Sequence, residues 1–142
     1  MSRSQTDLRL EYEGTPSTIS KEMVDNLRRG ERKIYKGDPE KARRCFRRAR
    51  RKSVVLLSSM AEEYSLNQEQ VKRYVGRDID NMNDDMMQVA RQMSLASVEQ
   101  QRTGNAPIKE STLMDVRELI ADAEDFYDLL VGIEEGRVVI QE

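Results

Sequence analysis

At 142 residues, with 24 Lys and Arg against 26 Asp and Glu, the chain is sized for one domain and is close to neutral. Hydrophobic residues make up 37%, with two Phe and no Trp, so the apolar supply is thin, and three Pro with seven Gly favour long helices over a loop-rich or all-β fold. A single cysteine, Cys45, and no histidine exclude an internal disulfide and a Cys/His zinc site, and remove the commonest general base.

Residues 1–16 are polar and predict a flexible N-terminal segment. Leu8, Leu10 and Tyr12 alternate there as in a short strand, which could pair with the strand-like Val138, Val139 and Ile140 at the other end. A single helical domain is expected over 17–142. Its first helix runs from about Thr18 to Tyr35, with Ile19, Met23, Leu27, Ile34 and Tyr35 on one face. Gly30 shares that face and would let another helix approach closely. Asp38 and Pro39 then cap and start a second helix, because a carboxylate can accept the first free N–H groups and proline lacks one to satisfy.

The second helix is predicted over Pro39–Tyr64, with Ala42, Cys45, Phe46, Ala49, Leu56, Met60 and Tyr64 inward. It closes a basic hairpin over 17–64. Ser65-Leu66-Asn67 breaks the pattern. Asn67 followed by Gln70 is a capping box, and Leu66 with Val71 a hydrophobic staple, so a new helix starts at Asn67 and pauses at Gly76. From Val75, apolar residues recur at Ile79, Met82, Met86, Val89, Met93 and Ala96 in steps of three and four. This is a heptad seam on a long helix over 78–102, and it predicts pairing with a second copy. Arg102 to Glu110, with Thr103-Gly104-Asn105-Ala106-Pro107 inside it, is a loop. An acidic last helix follows over about 112–135, with Val116, Leu119, Ile120, Ala123, Tyr127, Leu130 and Ile133 as its stripe. The expected fold class is all-α, a bundle of four to five helices.

The small net charge hides a split. Between Arg28 and Lys52 thirteen basic residues face three acidic ones, and between Glu110 and Glu142 ten acids face two arginines. Arg43, Arg44, Arg47, Arg48, Arg50 and Arg51 cover the outer side of the second helix. Such a surface suits an anionic partner. It equally suits internal pairing with the acidic last helix, which would loosen with salt.

The stretch Met60-Ala61-Glu62-Glu63-Tyr64-Ser65-Leu66-Asn67 and on to Val75 resembles the helix-turn-helix of bacterial and phage DNA-binding proteins. Ala61 stands where that pattern wants a small residue, and Met60, Tyr64, Leu66, Val71 and Tyr74 occupy its buried positions over a candidate spanning 56–76. Ser65 replaces the glycine common at the turn. The resemblance implies a second helix inserted in the major groove, with Asn67, Gln68, Gln70 and Arg73 near base edges and Lys72 and Arg77 near phosphate. Arg43, Arg44, Arg47, Arg48 and Arg51 would add sequence-independent affinity. A dimer through the long helix would match a palindromic site, as in transcription regulation or a nucleoprotein assembly. The first hairpin, with Leu27, Gly30, Tyr35, Ala42, Phe46 and Ala49, resembles one tetratricopeptide-type helical pair, but no second copy follows. It supports an alternative class, a non-enzymatic helical adaptor or chaperone-like module for an acidic protein surface.

Other chemistry finds little footing. Asp78, Asp80, Asp84 and Asp85 fail the calcium-loop pattern because Met82 stands at a ligand position, so neither metal nor other cofactor is expected. Cys45 lies on the predicted core stripe, no glycine-rich phosphate loop appears, and no catalytic residue is assigned. No apolar run approaches the roughly 20 residues of a membrane span, and Met1 to Asp7 lack the apolar core of a signal peptide. A cytoplasmic, non-membrane protein is the expectation.

Overall fold

Five helices account for most of residues 14–140, the residues described by the computed structural model. They are α1 (Pro16–Tyr35), α2 (Pro39–Tyr64), α3 (Gln68–Val75), α4 (Ile79–Thr103) and α5 (Glu110–Glu134). No strand occurs among the described residues, and the fold is an all-α helical bundle. The proposed strand at Leu8–Tyr12 lies outside the described residues. Val138–Ile140 form no strand; the backbone N–H groups of Arg137 and Val138 both bond to the Gly132 carbonyl, folding the tail back over the end of α5.

The helix starts follow from local chemistry. Thr15 caps α1, which starts at Pro16, two residues ahead of the expected Thr18. Asp38 accepts from the Lys41 N–H at 3.1 Å with Pro39 behind it. Asn67 and Gln70 form the full capping box, each side chain accepting the other's backbone N–H at 2.9 Å. Asp78 accepts from Asn81 N–H at 2.8 Å and opens α4. Each bond satisfies a donor that the first helical turn otherwise leaves free. α5 starts at Glu110 with no side-chain cap, two residues earlier than its apolar stripe predicts.

Packing is that of an up-and-down four-helix bundle with α3 inserted at one end. α1 packs on α2 and α5, while α4 packs on α2 and, more lightly, on α5. Directions follow from the side-chain bonds. Ser17 meets Glu134 and Arg28 meets Glu124, so α1 and α5 run antiparallel. Gln100 near the end of α4 reaches the Gly37 carbonyl at the start of α2, while Arg50 reaches Asn83, so these two are antiparallel as well. The basic α2 and the acidic α5 therefore occupy opposite corners of the bundle.

α1 and α2 approach closely at Gly30. A Cβ at Gly30 would sit 2.7 Å from the fully buried Phe46 ring, so only glycine admits the aromatic there. The heptad stripe of α4 is also interior. Ile79, Met82, Met86, Val89, Met93 and Ala96 are buried in the chain's own core, and Val75 packs against it. This corrects the expectation that the seam joins two copies: a chain too poor in large apolar residues for a spare stripe uses it to close its own bundle. Among the described residues no helix is long and apolar enough to cross a membrane.

Candidate nucleic-acid interface

Two regions hold the side chains expected to meet an anionic partner: the corner from α2 to α3, and the outer face of α2. At the corner, Ser65 adopts a left-handed backbone (φ 52°), the conformation a turn needs and a non-glycine residue adopts at a cost. Met60, Leu66 and Val71 are buried. Tyr64 is half-buried, while Ala61 and Tyr74 are exposed. The principal contacts of α3 are with α5 rather than with α2, so no close crossing forms at Ala61.

The polar residues of this corner are occupied by the protein. Asn67 and Gln70 are bonded to each other's backbone, and Gln70 is buried. Gln68 uses both ends of its amide on Asp80, donating to the carboxylate at 2.9 Å and accepting from the backbone N–H at 3.2 Å. Arg77 pairs with Asp122 of α5 at 2.6 Å and with Asp85 of α4. Burial works against its charge, but the bonds to these two carboxylates outweigh it and hold the guanidinium above its ordinary range. Of the residues assigned to this corner, Lys72 and Arg73 alone present exposed, unoccupied cations. An amide already holding a helix end cannot pair with a base without giving up that cap.

Three of the four aspartates after the corner are also engaged. Asp78 caps α4, Asp80 meets Gln68 and Asp85 meets Arg77. Cys45 is buried and unpaired.

The outer face of α2 behaves differently. Arg43 bonds to Glu40 at 2.5 Å, and Arg44 approaches the same carboxylate at 3.6 Å. The bond from Arg43 holds the Glu40 carboxyl below its usual range. Arg50 donates to Asn83 at 3.0 Å, and Lys52 pairs with Glu22. Arg47, Arg48 and Arg51 are exposed, and none has an acidic partner among the described residues. The expected internal pairing with the acidic helix is absent there too: the cross-bundle ion pairs of α5 come from Arg28, from Arg77 and, through its own Arg117, from Glu31. Opposite corners keep the two charged helices apart.

Between α2 and α4 lies a cleft of about 240 Å³, lined by Arg43, Arg47, Arg50, Met86, Met87, Ala90, Arg91 and Ser94. Arg91 extends the basic surface onto α4, and Met87 stands one turn before it. Sequence reasoning assigned neither to a site, because both sit on the outer side of a helix whose inner stripe dominates the pattern. The signal was their four-residue spacing, which puts them on one face.

Taken as a class, this is an all-α bundle whose α2 exposes Arg47, Arg48 and Arg51 without acidic partners among the described residues. Compared with protein-family models, curated proteins and solved structures, the chain has no match.

Proposed function

We propose that the protein binds DNA through its phosphate backbone, using Arg47, Arg48 and Arg51 of α2 together with Arg91 of α4. The observation that supports this reading is that four exposed guanidiniums without acidic partners among the described residues stand on two neighbouring helices, α2 and α4. Arginine matches phosphate oxygens bidentately, and released counterions supply affinity without base contacts. Arg43 and Arg44 add less, since Glu40 already partly neutralises them. Lys72 and Arg73 of α3 would contribute at the margin, with Asn67, Gln68 and Gln70 holding the corner rather than reading bases.

The test is a titration of a labelled duplex of mixed sequence at low and moderate salt. Four phosphate contacts predict a slope of about −3.6 in log K against log salt, or roughly 150-fold weaker binding between about 50 and 200 mM. No binding at low salt would end this reading. The second reading, a helical interaction module, is favoured by Leu95 and Val98, exposed by 60% and 63% one turn apart on the outer side of α4. In that case a second copy or an acidic protein would cover them, and sedimentation at rising concentration would show an assembly that Leu95→Lys abolishes.

A further inference from the structure

We infer that the cleft between α2 and α4 is a seat for one unpaired nucleotide, so that the preferred ligand is a single strand rather than a duplex. The inference rests on the DNA-binding reading above and goes one step further, to the form of the nucleic acid.

Three observations converge on it. First, the cleft's rim is cationic from both sides: Arg47 and Arg50 come from α2 and Arg91 from α4. Asn83 holds Arg50 by its Nε, leaving the rest of its guanidinium fork unassigned. Arg43 also lines the cleft, but its charge is met by Glu40. Second, the accessible apolar lining of the cleft is one flexible thioether, Met87, over a buried floor. Met86 and Ala90 are buried, and Met87 is 48% exposed at the mouth. Thioethers make favourable contacts with aromatic rings, and guanidinium planes stack on bases as well as pairing with phosphates. Third, the volume of about 240 Å³ falls below the roughly 300–1,000 Å³ of sites that enclose a drug-sized ligand. It suits a single flat ring with a charged neighbour, not a whole dinucleotide cofactor.

The surroundings extend the fit. Arg48 and Arg51 continue from the cleft along α2, and residues three and four apart on a helix stand about 5–6 Å from one another. That separation is comparable with the spacing of phosphates along an extended strand. A base seated on Met87 between Arg47 and Arg91 would place the flanking phosphates along this row. A duplex keeps its bases stacked and paired, so it reaches the arginines but not the apolar lining.

The experiment compares one labelled DNA oligonucleotide of about 16 nucleotides, single-stranded and annealed to its complement, at the same low salt. The single strand is expected to bind about tenfold tighter, in line with stacking of one base. Ala90→Leu fills the cleft and should lower single-strand affinity to the duplex value while leaving duplex affinity unchanged. Met87→Ala, at a half-exposed position where folding is safe, should remove most of the same preference. Equal wild-type affinities, or a single-strand preference that survives Met87→Ala and a folded Ala90→Leu, would overturn the cleft assignment and leave backbone binding standing. Failure of both probes to bind at low salt would remove the two readings together.

Discussion

Along α2, Arg47, Arg48 and Arg51 face solvent with no acidic partner among the described residues, whereas at the corner after Tyr64 the residues Asn67, Gln68, Gln70 and Arg77 are all bonded within the protein. Both stretches are rich in the side chains that meet nucleic acids. They differ in what surrounds them. The corner must start two helices within twelve residues, and each start leaves N–H groups that nearby amides and carboxylates satisfy. The middle of α2 has no such need: its backbone is closed by its own helical bonds, so its long polar side chains are left to the solvent. Residue type alone therefore misassigns function where helix ends crowd together.

Charge reversal should separate the two regions most strongly. Arg47→Glu/Arg48→Glu/Arg51→Glu is expected to weaken DNA binding by at least about 100-fold at low salt, while stability changes by no more than about 0.5 kcal/mol because the sites are exposed. Fluorescence anisotropy and a thermal melt read the two quantities. An unaffected affinity would break the comparison on the α2 side.

Arg77→Ala tests the opposite side. The guanidinium joins α4 to α5 across side chains that are about four-fifths buried at Arg77 and Asp122. Its loss should cost about 1–2 kcal/mol, between the value for an exposed pair and that for a fully buried one. A urea melt would show the shift, and DNA affinity should hold.

Asn67→Ala removes the cap of α3 and should cost about 1 kcal/mol, again with DNA binding retained. If affinity instead fell while the melt stayed put, Asn67 would be a contact residue and the corner would need to be reassigned.

The smallest effect is a pH dependence at the closed end of the bundle. Burial raises the Glu134 pKa, but bonds from Ser17 and Tyr64 outweigh this and hold it below the usual carboxylate range. A depressed folded-state value gives stability that is present above the ordinary carboxylate pKa and lost as pH falls through that range. Tyr64 is pushed up by burial and by the Glu134 carboxylate, so its contribution is lost only in strong alkali. Glu134→Gln should flatten the acid side of a plot of Tm against pH by a small amount. An acid limb identical to the wild type would show that this contact contributes nothing.

Much of the fold was legible because its signals are local. The caps at Asp38 and Asn67, the restart at Asp78, the stop at Gly76 and the close contact implied by Gly30 all depend on neighbours within a few residues or on one face. The heptad stripe of α4 was legible as a stripe but not as to its partner, since an apolar face looks the same whether it meets another copy or its own core. The site was less legible for the same reason. Whether Arg47 is free or paired depends on which helix stands at the opposite corner, and that is set by packing, not by spacing. Arg91 and Met87 became visible as site residues only when α4 came to lie beside α2.

The measurement closest to the central claim is the salt slope of DNA binding for single substitutions. Arg48→Ala should reduce the slope by about 0.9, the loss of one phosphate contact, while Gln68→Ala leaves slope and affinity at the wild-type values. A slope that ignores Arg48→Ala, together with a loss of affinity in Gln68→Ala, would contradict the account and move the interface to α3.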